Sequence, residues 1–121
     1  MKRSERGEQM KRLESRVAII TGGAKWIGKA TVNKFLEEGA LVVVWDVDEE
    51  QGNKLVADVT AQGFKAKFMK VNVAKLEEVE KAVAQIIQDF GKIDILVNNA
   101  GILRDATLIK MTAEQWQQVI D

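Results

Sequence analysis

The 121-residue chain has no cysteine, no histidine, no tyrosine and no proline. Without cysteine there are no disulfides and no thiolate chemistry. Without histidine the commonest general base and metal ligand is missing, and no metal site is expected. No apolar run approaches the roughly 20 residues that a membrane-spanning helix needs. An excess of one charge is absent too. The 18 basic and 18 acidic residues cancel to a formal net charge of zero, so nothing global draws the chain to nucleic acid or to an anionic membrane. Glu49-Glu50 and Glu77-Glu78 read as solvated helix faces, and no residue is assigned a catalytic role. The opening MKRSERGEQMKRLES is charged with no apolar stretch behind it, unlike a secretory signal. A cytoplasmic location is therefore expected. Residues 1–14 are expected to form a flexible tail and residues 15–121 a single domain.

What is present is ordinary for a globular chain, with 46% hydrophobic and 30% charged residues. Short apolar runs alternate with helical patterns. Val17 to Thr21 and Leu41 to Asp46 are continuous apolar segments, as in strands buried on both faces. Between them a helix is expected to run to about Glu38, with Ile27, Thr31 and Phe35 four apart and Val32 and Leu36 beside them. Gly39 is its stop. Asp48 can cap a second helix through about Gln62 that buries Leu55, Val56 and Val59. Ala66 to Val71 reads as a third strand of mixed polarity. Leu76, Val79, Val83, Ile86 and Phe90 form a helical stripe, and Ile93 to Val97 a fourth strand. Thr112 and Gln115 make a capping box for a last helix. This alternation predicts an α/β fold: half of a doubly wound Rossmann arrangement, with a parallel sheet of about four strands in the order 3-2-1-4 and helices on both faces.

The first strand-to-helix turn reads Thr21-Gly22-Gly23-Ala24-Lys25-Trp26-Ile27-Gly28. Backbone N–H groups at a helix N-terminus carry a partial positive charge on which a pyrophosphate can sit. Asp46 ends the second strand about 20 residues further on, where a carboxylate would accept ribose hydroxyls. Asn72-Val73 and Asn98-Asn99-Ala100-Gly101 follow the third and fourth strands, at the sheet edge where such folds bind ligands. Asn72 also suits a plain turn. The loop lacks the Gly-Lys-Ser/Thr ending of a P-loop.

These segments, TGGAxxxG, the strand-ending Asp46 and IDILVNNAG followed by ILRDATLIKMTAEQWQQVID, resemble the short-chain dehydrogenase/reductase family. The last segment is most similar to its bacterial 3-oxoacyl-acyl-carrier-protein reductase branch. The resemblance covers residues 11–121 and the N-terminal half of a family member. It implies that Gly22, Gly23, Ala24, Lys25, Ile27 and Gly28 form a pyrophosphate loop and that Asp46 reads the ribose. Asn72 and Val73 would flank adenine, and Asn99, Ala100 and Gly101 would line the cofactor. Asp94 and Asn98 would be mainly structural. The implied cofactor is NAD, since Asp46 repels a 2′-phosphate, with NADP as the alternative because Lys25 could pair with that phosphate.

The chain departs from the family pattern twice. Trp26 stands where the pattern has its middle glycine, so either the indole swings out into solvent or cofactor binding is weakened. The family's Asn–Ser–Tyr–Lys catalytic set lies in its second half, and these 121 residues contain no tyrosine. The implied function is thus the NAD(P)-binding portion of an oxidoreductase that reduces a 3-oxoacyl thioester or similar ketone, inactive on its own. The alternative is a non-catalytic half-Rossmann fragment that folds or self-associates without turnover. In either case the fourth strand is expected to expose an apolar edge and to favour a homo-oligomer.

Overall fold

The computed structural model describes residues 11–99. Within them lie β1 (Val17–Thr21), α1 (Trp26–Glu37), β2 (Leu41–Asp46), α2 (Glu49–Ala61), β3 (Ala66–Lys70), α3 (Leu76–Phe90) and β4 (Ile95–Asn98). All pairings are parallel, in the order β3-β2-β1-β4. This is the predicted order. The expected last helix, with Thr112 and Gln115, lies outside the described residues.

Strand side chains alternate between two cores, because successive residues of a strand face opposite ways. Val17, Ile19, Val43 and Trp45 pack on one face beneath Val79, Ala82, Val83, Ile86 and Ile87 of α3. Ile20, Val42 and Val44 pack on the other beneath Val32 and Leu36 of α1 and Leu55 and Val59 of α2. Helices therefore cover both faces, and the central strands β1 and β2 need apolar residues on both sides. The outer strands β3 and β4 are only half-buried, which explains the mixed polarity of Ala66 to Lys70.

Several expected details shift. In α1 the buried stripe is Gly28, Val32 and Leu36, while Ile27 is 76% exposed. The close approach of the helix start to β1 falls on a glycine, and Ile27 is turned away from the sheet. Leu76 is exposed as the first residue of α3, one turn before the packed part begins. The fourth strand starts at Ile95 rather than Ile93 and includes Asn98. Residues 12–15 make a turn, in which Leu13 packs against the α1/α2 core and its N–H donates to the Glu38 carbonyl at 2.8 Å.

Asp94, just ahead of β4, ties the bottom of the sheet. Its Oδ2 accepts from the Val17 N–H at 2.8 Å, and its own N–H donates to the Val17 carbonyl at 2.8 Å. Lys92 and Arg16 lie 3.1 and 3.6 Å from the carboxylate. Burial opposes its charge, but the Val17 N–H and the two cations outweigh this and hold its pKa below the ordinary value. A depressed carboxylate stabilises the fold above its unfolded value, near 3.8, and that contribution is lost as pH falls through the lower folded value. Asp94→Ala should cost about 1–2 kcal/mol at pH 7, measured by urea denaturation, and the variant should lose less stability than wild type on acidification below about pH 4.

Gly28 sets the other constraint. A Cβ built on it would collide with the Gly22 carbonyl oxygen and crowd the Gly23 Cα at 3.0 Å. These are backbone atoms that cannot rotate away. Gly28→Ala should therefore destabilise the fold by about 2 kcal/mol or more, read as a lowered denaturation midpoint with an unchanged slope.

Candidate functional site

The carboxyl ends of β1, β2, β3 and β4 open on one cleft of about 550 Å³. Gly22, Lys25, Ile27, Gly28, Asp46, Asn72, Val73 and Asn99 line it, all of them singled out in the sequence. Ala100 and Gly101 lie outside the described residues. Gly23 and Ala24 are buried behind the wall rather than on it. Gly23 is wedged against Val44 and Val32, and Ala24 is 3% exposed. Trp26, already placed in the loop by the sequence, completes the lining with Trp45, Val47 and Val71, which were not expected there. Trp45 could have been found by alternation, since it precedes Asp46 and faces the α3 side.

The cleft floor is the N-terminus of α1. Gly22 takes φ +63 at the turn, its N–H donating to the Trp45 carbonyl at 2.7 Å. Lys25 is the N-cap, in extended conformation, and makes no side-chain cap bond. The first turn of α1 holds no acidic residue. The other two described helices each carry two acidic residues there, Glu49 and Glu50 in α2 and Glu77 and Glu78 in α3. The early N–H groups of α1 are thus left without an internal anion.

Trp26 is turned out into solvent. Its side chain is 87% exposed at the cleft mouth. Its backbone sits at φ +49, in the left-handed region that glycine adopts freely and a bulky residue adopts at a cost.

Asp46 is half-buried and anchored twice. Oδ2 accepts from the Ala24 N–H at 3.1 Å and Oδ1 from the Asp48 N–H at 3.0 Å. These bonds link the glycine turn to the turn after β2 and leave each oxygen further acceptor capacity. Lys25 Nζ lies 3.0 Å from Asp48 Oδ2, while Asp48 Oδ1 caps α2 through the Gln51 N–H at 3.1 Å. The Asp48 carboxylate, with Asp46 adding to it, raises the Lys25 pKa. The Gln51 N–H and then Lys25 lower that of Asp48.

Asn72 is a cleft residue and a turn residue at once. Its side-chain oxygen accepts from the Ala74 N–H at 3.0 Å, and Glu78 accepts its backbone N–H at 2.9 Å. At the opposite wall, Thr21 Oγ1 donates to Asn98 Oδ1 at 2.7 Å and accepts from the Asn99 N–H at 3.0 Å. Asn98 is thereby tied to the end of β1. Asn99 Nδ2 is buried with no hydrogen-bond partner. Among the described residues no group of three or more His, Cys, Asp and Glu could hold a metal ion, and no helix is long and apolar enough to cross a membrane.

A parallel 3-2-1-4 sheet, a free helix N-terminus and a strand-ending carboxylate facing one cleft define a Rossmann-like α/β protein. The sequence pattern of the short chain dehydrogenases matches residues 16–121, and the chain belongs to that family. It is 42% identical over 110 residues to a 3-oxoacyl-[acyl-carrier-protein] reductase of Thermotoga maritima, covering 91% of this chain and 45% of that protein. The structure of a hydroxysteroid dehydrogenase from Escherichia coli superposes with a TM-score of 0.72 at 29% identity, over 91% of this chain and 50% of that one. A D-mannonate oxidoreductase from Haemophilus influenza, solved with bound NAD, gives 0.66 at 32% identity, over 69% and 30%. The chain spans a little under half the length of the curated relatives it matches. The family implies a nicotinamide dinucleotide cofactor.

Relieving the strain at position 26 should stabilise the fold. Trp26→Gly is expected to gain about 0.5–1 kcal/mol, the left-handed penalty less the entropy of the added glycine. A thermal midpoint at or below that of wild type would contradict the strained backbone.

Proposed function

We propose that this chain is the dinucleotide-binding portion of an oxidoreductase acting on CH–OH groups, whose whole reaction reduces a 3-oxoacyl thioester or a similar ketone. The observation that carries the reading is the union, in one cleft, of the uncapped α1 N-terminus and the doubly anchored Asp46. The names of the most similar relatives support the thioester class.

The residues fit the cofactor. The first-turn N–H groups of α1, behind Gly22 and Gly28, would hold a pyrophosphate with no protein anion competing. Asp46, held rigid by Ala24 and Asp48, has lone pairs left for two ribose hydroxyls. Val71 and Val73 give an apolar wall for a purine, and Asn72 borders it. Asn99 Nδ2 supplies a buried donor without a partner, a group whose desolvation a ligand acceptor would offset. A nicotinamide dinucleotide bound here would supply or accept a hydride. These 121 residues hold no tyrosine, so the proton-transfer group is not among them, and their part is to bind and orient. NAD is preferred to NADP because Asp46 would meet a 2′-phosphate at short range.

The self-associating reading keeps one observation in its favour: β4 is the end strand of the described sheet and is half-buried throughout. An unpaired strand edge is a template for another chain.

Calorimetric titration with NADH tests the first reading. Wild type is expected to bind, and more weakly than Trp26→Gly, by about fivefold (near 1 kcal/mol). Asp46→Asn should bind NADH at least about tenfold more weakly. Absence of binding by both wild type and Trp26→Gly would contradict the reading. Sedimentation tests the second: a dimer or larger species is expected at tens of micromolar, and monomer alone would count against the open edge.

A further inference from the structure

The Lys25–Asp48 pair bridges two turns that face the cleft, one after β1 and one after β2, and it flanks Asp46. Its geometry is specific. Asp48 divides its oxygens, Oδ1 to the α2 N-terminus and Oδ2 to the Lys25 ammonium at 3.0 Å. Its backbone N–H grips Asp46 Oδ1 as well. Asp48 is thus fixed from its own helix, and Lys25 is drawn to it. Among the described residues, Lys25 is the one basic residue lining the cleft. Two carboxylates and one ammonium leave this end of the cleft with a net negative charge.

From this arrangement we infer that Asp48 is a specificity-determining residue: by holding Lys25 across the turn it withholds the cleft's cation from a phosphate on the adenosine ribose. The inference rests on the dinucleotide reading above and adds to it a residue outside the cleft lining. A 2′-phosphate placed at Asp46 would need a cation to offset two carboxylates. Lys25 is near enough to be that cation only by leaving Asp48, and its departure would expose a second anion to the phosphate. The pair is partly solvated, its side chains 49% and 28% exposed. Its rupture is therefore cheap, and the device sets a preference rather than a prohibition. The contribution of Asp48 acts through Lys25, and this separates it from simple repulsion by one more negative charge.

The test is a binding comparison, independent of turnover, with NADH and NADPH titrated against four proteins: wild type, Asp48→Asn, Lys25→Met and the double variant. Asparagine keeps the helix cap, so Asp48→Asn should fold with α2 intact. Wild type is expected to favour NADH. Asp48→Asn should tighten NADPH by about tenfold, the scale of one charge contact at about 3 Å screened by water, with NADH changed little. Lys25→Met should gain nothing toward NADPH, and the double variant should lose the gain of Asp48→Asn. An equal gain in the double variant would overturn the inference, since the effect would then be charge removal alone. An unchanged NADPH to NADH ratio in Asp48→Asn would overturn it as well, while NADH binding left the cleft assignment standing. Failure of all four proteins to bind either nucleotide would remove the dinucleotide reading and this inference with it.

Discussion

The start of α1 lies so close to the end of β1 that Gly28 has no room for a Cβ against the Gly22 carbonyl. Much of the site follows from that contact. It aims the helix axis at the carboxyl edge of the sheet and sets the early N–H groups of α1 on the cleft floor. It brings the Ala24 N–H within 3.1 Å of Asp46, so that the carboxylate is fixed by the loop it serves. It also brings Lys25 to Asp48 at 3.0 Å, joining the first and second strand-to-helix turns a second time. A looser approach would leave a helix, a strand and a carboxylate with no common geometry.

Stability and binding draw on this edge of the sheet in opposite ways. The two central strands are anchored by apolar packing on both faces. At their carboxyl ends and that of β4, polar and strained groups remain: a tryptophan at φ +49, and an asparagine amide and an indole N–H buried without partners. Groups of this kind cost stability and gather where a ligand can offset the cost. The Trp45 indole N–H differs from Asn99 in that its ring is also core, 1% exposed beneath α3. Its burial is the consequence of placing a large ring where β2 needs an apolar residue.

Most of the fold was legible because β1 and β2 are continuous apolar runs and α3 carries a regular stripe. Order and handedness then follow from the parallel crossovers. The errors have local causes. Ile27 fits a helical period, but periodicity cannot know that the sheet stops short of the first turn, where Gly28 makes the contact. Leu13 is one leucine in a charged stretch, and only the position of Glu38 at the end of α1 shows that it is held. Of the site, the glycine turn, Asp46, Asn72, Val73 and Asn99 were readable from motif and position. The double anchoring of Asp46 and the Lys25–Asp48 bridge were not, because both join residues about 22 apart whose proximity depends on how two turns meet. The outward rotamer of Trp26 was equally hidden, since the sequence shows that a glycine is missing but not where the indole goes.

The central claim is that an anionic dinucleotide sits on the α1 N-terminus beside Asp46. Amide resonances followed during addition of NAD test it most directly, because they report position and not merely affinity. The account predicts that the largest shifts fall on Gly22, Ile27, Gly28, Val47 and Asn99, with saturation at a single stoichiometric site, and that Lys65, Gly91 and the exposed face of α3 stay still. Shifts scattered over the surface, or confined to the β4 edge with the glycine turn unmoved, would contradict it.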